Sequence, residues 1–136
     1  MADGEYGHCI KTTSLIKEIP YYFGKSIVAH DGELDADCSL GYHHIAKPIS
    51  FDDPHSHAFP EMLCFIGTDS KDITDLGAEV EITLGEEKHL ITTAAVVSIP
   101  ANLKHCPIKI TSVKKPIVFL EISLTRIWKP GKTTRK

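Results

Sequence analysis

The sequence predicts an all-β protein, either a sandwich or a barrel of short strands. Several runs alternate apolar and polar residues with a period of two, the pattern of strands that bury one face. Glycines and prolines separate these runs at close spacing, which favours tight turns between neighbouring strands. Few stretches show the longer period of a helix. We therefore expect strands to carry almost the whole fold.

The first half of the chain contains three candidate elements and a loop. Residues 12–24 (TTSLIKEIPYYFG) form a short helix or a strand that Pro20 interrupts. Residues 37–49 predict a strand that ends near a proline, and residues 54–67 (PHSHAFPEMLCFIG) predict a further extended segment. Residues 67–77 are polar and bounded by glycines, so they predict an exposed loop.

The second half predicts a hairpin and three more strands. Residues 78–92 alternate and contain the turn sequence GEE, which predicts the hairpin. Residues 94–110 predict a strand, a proline turn and a second strand. Residues 114–128 predict a last long strand. One face of that strand would carry Ile117, Phe119, Glu121 and Ser123.

Length and charge limit the classes of function. At 136 residues the chain is most simply one domain, residues 1–136, with a core at about 40–125 and a disordered tail at 129–136. The net charge is −3, and Lys and Arg are spread along the chain, which argues against a nucleic-acid partner. No apolar run is long enough for a membrane span.

The start of the chain and its cysteines predict a cytoplasmic protein. The first residues, MADGEYGHCIK, lack the apolar region of a signal peptide. The four cysteines, at positions 9, 38, 64 and 106, fit no CxxC spacing. Without an export signal we expect reduced thiols.

Four residues suggest a metal site. His55, His57 and Glu61 would share one face of an unbroken strand, and burying three polar groups is costly unless a ligand satisfies them. His105 follows in the segment IPANLKHCPI. Imidazole and carboxylate together suit one divalent transition metal ion: Fe, Mn, Ni, Co, Cu or Zn.

These residues resemble the two motifs of the cupin superfamily, in particular its small, single-domain, metal-binding (RmlC-like) members. HSHAFPE with Gly67 matches the first motif, and PANLKH matches the second with Asn102 in place of its glycine. Asn adopts left-handed conformations more readily than most residues, so this change is mild. The chain departs from the family pattern at Ile49, Ala94 and Lys109, positions that shape turns rather than bind metal.

The resemblance implies a double-stranded β-helix (jelly-roll) barrel with a short N-terminal extension and a metal held by His55, His57, Glu61 and His105. It implies an enzyme acting on a small oxygenated, anionic, chelating organic substrate, of the dioxygenase, decarboxylase, lyase or isomerase type. One alternative is a non-catalytic ligand-binding or sensory cupin, and another is a storage or structural cupin that has kept its ligands, because one fold serves many functions. The family also often forms homodimers, and we expect the apolar residues 10–23 to cover a sheet edge in such a dimer.

Two further residues are candidates for catalysis. Of the adjacent His43 and His44, only one can face the interior of a strand, and we favour His43. Glu121 lies mid-strand among apolar residues. It either accepts a hydrogen bond from a ligand histidine or faces solvent.

The expected substrate pocket and the position of Cys106 complete the predictions. We expect the pocket to be lined by Tyr42, Phe59, Leu63 and Phe65. Cys106 follows His105 directly, so strand alternation predicts that its sulfur points away from the metal.

Overall fold

Ten antiparallel strands in two sheets form the fold of the computed structural model, which describes residues 4–127. In chain order the strands are β1 (Ile16–Ile19), β2 (Gly24–Ala29), β3 (Ser39–Ile45), β4 (Ile49–Phe51), β5 (Glu61–Ile66), β6 (Asp75–Leu84), β7 (Glu87–Thr93), β8 (Ala95–Ile99), β9 (His105–Thr111) and β10 (Ile117–Ser123). The larger sheet has the order β1-β2-β3-β10-β5-β8, and the smaller has the order β4-β9-β6-β7. Three short 3-10 helices lie at Gly7–Cys9, Thr13–Leu15 and Pro20–Tyr22. The prediction of an all-β fold is confirmed.

The hydrophobic core lies between the two sheets. Strands of both sheets alternate buried and more exposed positions, as in β3 and β6, because each sheet turns one face to the other. Phe65 of the larger sheet stacks on Phe119, with ring centroids 5.1 Å apart. The largest fully buried side chains are Phe65, Ile45, Leu76, Ile82, Ile99, Ile110, Ile117 and Val80.

Strand β10 lies between β3 and β5 in the larger sheet and pairs with both. Three inward-facing rows cross these strands at positions directly opposite one another. They are His43–Phe119–Phe65, Gly41–Glu121–Leu63 and Ser39–Ser123–Glu61. The rows change from apolar to polar towards the end of the sheet that carries Glu61.

The outer face of the same sheet carries an apolar row of its own. Register places one residue from each of six strands in line, and we call this line the outer apolar row. Its members are Ile16, Ile27, Tyr42, Leu120, Cys64 and Val96. Three of them, Ile16, Ile27 and Val96, are more than a third exposed.

The segment that carries the histidine pair differs from its prediction. The expected extended run over 54–67 is a strand only from Glu61 onward, and before it the structure has a single β-bridge at His55. Pro54 and Pro60 flank the histidines and have no backbone N–H to give to a ladder. Parity along one strand therefore does not explain why the two histidines and Glu61 meet.

The N-terminal part extends the larger sheet. Strands β1 and β2 pair with each other, and β2 pairs with β3. Residues 16–29 thus belong to the sheet although they precede the expected core at 40–125. The predicted hairpin at 78–92 is confirmed by the pairing of β6 with β7.

The remaining sequence predictions concern the chain end, the thiols and the membrane. The expected tail at 129–136 lies outside the described residues. All four cysteines are free thiols. Between residues 4 and 127 there is no helix with the length and apolar character that crossing a membrane requires. A cytoplasmic location stays a prediction.

Candidate metal centre

Three buried histidines meet at one end of the space between the sheets. The potential ligand atoms of His55, His57 and His105 all lie within 4.8 Å of one another, and each residue is at most 5% exposed. Buried imidazoles at this separation can bind one ion together. The structure therefore brings together the three histidines that the sequence predicts as ligands.

Backbone carbonyls fix the ring orientation of two of these histidines. His55 Nδ1 lies 2.8 Å from the carbonyl oxygen of Asp53, and His105 Nδ1 lies 3.0 Å from that of Leu103. A carbonyl only accepts, so each Nδ1 carries the proton and donates it. Each Nε2 is then left with the lone pair that a metal requires.

Main-chain hydrogen bonds join the segments that carry the three histidines. The amide of His55 donates to the carbonyl of His105 at 3.0 Å, and the reverse bond measures 2.9 Å. The amide of Asn102 donates to the carbonyl of His57 at 2.6 Å. Asn102 has a φ of 71°, the left-handed conformation expected where the cupin motif has glycine.

Glu61 stands beside the histidines at the start of β5. Its Oε1 is 3.3 Å from His105 Nε2 and 3.7 Å from His57 Nε2, and Ser123 Oγ donates to Oε2 at 3.1 Å. Burial favours the neutral acid, but the neighbouring imidazoles of His105 and His57 and the hydrogen bond from Ser123 outweigh it. Together they hold the pKa of Glu61 below its ordinary value, so a carboxylate faces the imidazoles.

The four residues open into a cavity of about 500 Å³ between the sheets. Besides these residues, its lining contains Ile19, Tyr21, Tyr22, Val28, His43, Phe51, Asp52, Asp53, Leu63, Cys106, Ile108, Phe119 and Glu121. Among the described residues of this lining there are four carboxylates and no Lys or Arg. The cavity thus combines apolar side chains with histidines and an excess of acidic groups.

His43 and Glu121 belong to the same cavity and contact each other. His43 is 2% exposed, and its Nε2 lies 2.8 Å from Glu121 Oε2. His44 is exposed on the other face of β3. Glu121 therefore bonds a histidine, but this histidine is not one of the three that meet at the candidate metal centre.

The expected pocket residues lie in different places. Leu63 lines the cavity. Phe59 stacks on His57, with centroids 4.7 Å apart, and Phe65 is fully buried in the core against Phe119. Tyr42 contacts the outward-facing His44. Neither Phe59, Phe65 nor Tyr42 is part of the lining.

Cys106 departs from the strand alternation on which its expected position depends. Both His105 and Cys106 are buried, and Cys106 lines the cavity. The register between β6 and β9 shifts between Ile82 and Leu84, and Cys106 has a φ of 81°. A bulge of this kind breaks the alternation of side chains.

Two residues of the site were not predicted from the sequence. Ser123 bonds Glu61, and Ser26 Oγ lies 2.7 Å from His43 Nδ1. Ser123 shares its strand face with Glu121, a signal that alternation along β10 could have supplied. Ser26 lies on β2, and only the pairing of β2 with β3 brings it to this face.

Similarity to known proteins is found at the level of structure. No family model and no curated protein matches the chain. An RmlC-like cupin from Shewanella frigidimarina matches with a TM-score of 0.56 and 10% identity, covering 95% of this chain and 97% of that one. A cupin protein from Bacteroides fragilis matches at 0.51 and 20%, covering 89% and 88%.

A larger enzyme shares the same architecture. Oxalate decarboxylase from Bacillus subtilis, described with Mn(II) centres, matches with a TM-score of 0.52 and 14% identity. The match covers 82% of this chain and 28% of the decarboxylase. At such low identities these matches describe the fold.

Proposed function

We propose that this protein, which has the cupin fold, is a metal-dependent enzyme acting on a small oxygenated organic substrate. The observation that carries the proposal is the convergence of three buried imidazoles and Glu61 on one cavity. The donor set fits a divalent ion, because two ring tautomers are fixed with Nε2 available and Glu61 is ionised. A bound ion supplies Lewis acidity that stabilises negative charge on a substrate oxygen.

The ligand types support a borderline transition metal rather than Mg²⁺ or Ca²⁺. Imidazole suits Fe, Co, Ni, Cu and Zn, and a carboxylate in addition suits Mn. The similar oxalate decarboxylase is described with Mn(II), which supports Mn as one of the candidates.

The cavity's size and charge narrow the substrate class. A volume of about 500 Å³ lies in the lower part of the range for small-molecule sites. Asp52, Asp53 and Glu121 line it in addition to Glu61, with no Lys or Arg among the described lining residues. We infer a substrate whose anionic chelating group is directed at the ion and whose remainder is uncharged, such as a hydroxy- or keto-acid.

Glu121 and His43 supply acid–base chemistry in this proposal. Glu61 pairs with Ser123, and Glu121 lies two residues before Ser123 on the same strand face. Glu121 is therefore a diagonal neighbour of Glu61, within reach of a molecule bound beside it. A carboxylate so placed accepts or returns a substrate proton, which favours the isomerase, lyase or decarboxylase types over a dioxygenase.

Metal loading followed by ligand binding tests the proposal. The metal-free protein is loaded in turn with Mn²⁺, Fe²⁺ and Zn²⁺, and calorimetry then measures the binding of lactate and of 2-phosphoglycolate. We expect one ion per chain, lactate binding that requires the ion, and weaker binding of the phosphorylated acid. Failure to bind any of the three ions would refute the proposal, and binding without turnover of any hydroxy- or keto-acid would favour the non-catalytic alternative.

Replacing Glu61 with Gln is expected to weaken metal binding and to strengthen anion binding by the metal-loaded protein. Gln keeps the shape and one oxygen donor but removes a negative charge, so metal affinity should fall about tenfold or more. The remaining charge at the site becomes more positive, so lactate should bind the loaded variant more tightly while turnover falls. Titration of both ligands measures this, and Glu121→Gln, which removes the same charge from the cavity outside the candidate ligand set, should leave the metal affinity unchanged. Unchanged metal and lactate affinities in Glu61→Gln would show that Glu61 is not a ligand.

The outer apolar row supports the prediction of a homodimer. A sheet face with exposed Ile16, Ile27 and Val96 favours association with a second apolar surface. β1, which lies within residues 10–23, is also an edge strand of the larger sheet, and an edge strand favours pairing with a second chain. In sedimentation we expect about twice the 15.0 kDa chain mass, and a monomer for Ile27→Lys but not for Ile73→Lys on a distant loop. A 15 kDa wild-type species would contradict the dimer.

A further inference from the structure

A buried chain of hydrogen bonds leads from Glu121 in the cavity wall to Ser26 on β2. Glu121 Oε2 lies 2.8 Å from His43 Nε2, and His43 Nδ1 lies 2.7 Å from Ser26 Oγ. Ser26 and His43 are at most 4% exposed, and Glu121 has 31% of its side chain exposed. This series of hydrogen bonds is therefore accessible to solvent at the Glu121 carboxylate and buried at the Ser26 hydroxyl.

The chemistry of the three groups fixes where the protons lie. An ionised carboxylate only accepts, so His43 Nε2 carries the proton that it donates to Glu121. In neutral His43 the other nitrogen, Nδ1, then holds a lone pair, and the Ser26 hydroxyl donates to it. A serine hydroxyl can also rotate and accept if Nδ1 gains a proton, so Ser26 can serve either charge state of the ring.

Two neighbouring residues, Gly41 and Tyr22, leave space for these hydrogen-bonded groups or pack against them. A Cβ atom added at Gly41 would lie 2.8 Å from both Glu121 Oε2 and His43 Nε2, so glycine leaves the space that the pair occupies. Tyr22 stacks on His43 with a centroid distance of 3.7 Å and an interplanar angle of 14°. The ring of His43 is thus hydrogen-bonded at both nitrogens and stacked on one face.

We propose that Ser26 is a positioning residue: its hydroxyl anchors Nδ1 of His43, so that the ring keeps the orientation in which Nε2–H donates to Glu121, the proton acceptor of the cavity. Without the hydroxyl, only the bond to Glu121 and the stacking on Tyr22 hold the ring, so the ring turns more easily and its bond to the carboxylate opens more often. This rests on the proposed function only for the use of Glu121 in catalysis, since the hydrogen-bond chain does not include a candidate metal ligand.

Nuclear magnetic resonance of the histidine rings tests the proposal without a known substrate. Long-range ¹H–¹⁵N spectra of ¹⁵N-histidine-labelled protein, metal-free and loaded with Zn²⁺, report which ring nitrogen carries the proton, and His43→Asn assigns the signal. We expect the Nε2–H form of His43 in both states. An Nδ1–H form in the wild type would overturn the proposal.

Three variants separate a positioning role from general damage. Ser26→Ala should shift the His43 ring signals and speed solvent exchange of the Nε2–H about fivefold, the ratio of a hydrogen bond worth about 1 kcal/mol, and Ser26→Thr, which keeps the hydroxyl, should match the wild type. Tyr42→Phe removes the hydroxyl 3.2 Å from His44 Nε2 on the opposite strand face and should leave His43 unchanged. An unchanged His43 spectrum in Ser26→Ala, or equal disturbance by Tyr42→Phe, would overturn the proposal.

Gly41→Ala and zinc titration complete the test. Gly41→Ala should speed solvent exchange of the His43 Nε2–H about tenfold, the ratio that one ordinary hydrogen bond gives. The zinc affinity of Ser26→Ala and of Gly41→Ala should match that of the wild type. Loss of zinc binding in both variants would show that the hydrogen bonds of Ser26, His43 and Glu121 are not independent of the metal centre. If the wild type binds no zinc but Ser26→Ala disturbs the His43 ring as expected, the proposed function fails and the role of Ser26 stands.

Discussion

His57→Ala is expected to abolish metal binding and, with it, any activity of the loaded protein. The change leaves two imidazoles and Glu61, and it removes a ligand rather than a group that orients one. Loss of outer partners already costs 10–100-fold in metal affinity, so we expect a loss of at least about 100-fold. Elemental analysis of the purified variant and zinc titration against a competing chelator measure it.

The fold should survive this change, which makes the result interpretable. The contact that joins His57 to the second histidine segment is made by its backbone carbonyl, which accepts from the Asn102 amide, and alanine keeps that group. Melting curves of the metal-free forms check this point. His44→Ala, which removes an exposed imidazole from β3, should retain full metal binding. A His57→Ala protein that binds zinc like the wild type would rule out His57 as a ligand.

Among the substitutions considered, Gly67→Ala is expected to cause the largest loss in the free energy of unfolding. A Cβ atom at Gly67 would lie 1.9 Å from the backbone carbonyl oxygen of Asp75 and 3.1 Å from that of Leu76. The obstacle is main chain at the start of β6, which cannot rotate away as a side chain can. We expect a loss of at least about 3 kcal/mol in the free energy of unfolding, the upper end for overpacking, or about 10 °C in melting temperature.

Gly24→Ala is the matched control for this experiment. A Cβ atom there would have no heavy atom within 4 Å, so its effect should stay within about 0.5 kcal/mol. Chemical denaturation of both metal-free variants compares them directly. If Gly67→Ala unfolds at the same denaturant concentration as the wild type, the neighbouring segment can move aside and the glycine is not required.

The sequence predicted the four candidate ligands but gave a partly wrong reason for them. Parity along one strand was the argument for His55, His57 and Glu61, yet only Glu61 lies on a strand proper. The spacing of the two motifs nevertheless identified these residues, because it reflects a turn geometry that includes the left-handed conformation of Asn102. Whether these residues bind metal stays a proposal.

Contacts between distant strands account for most of what could not be predicted. Ser26 reaches His43 only through the β2–β3 register, which no local pattern of the sequence specifies. Cys106 lines the cavity beside a bulge between β6 and β9, and one extra residue in a strand reverses every later side chain. Tyr42, expected in the pocket, lies on the outer face because its parity is that of His44 rather than His43.

The main-chain bridge between His55 and His105 has a consequence for how the protein would exchange a bound ion. Because these bonds join the two ligand segments through amides and carbonyls, the ion is not required to draw together residues that are distant in the sequence. In zinc fingers, by contrast, metal affinity is folding free energy. Here a chelator should remove the ion and leave a folded protein ready for another. The occupant would then follow the supply of competing metals in the cell, and one polypeptide could exchange its ion many times during its lifetime.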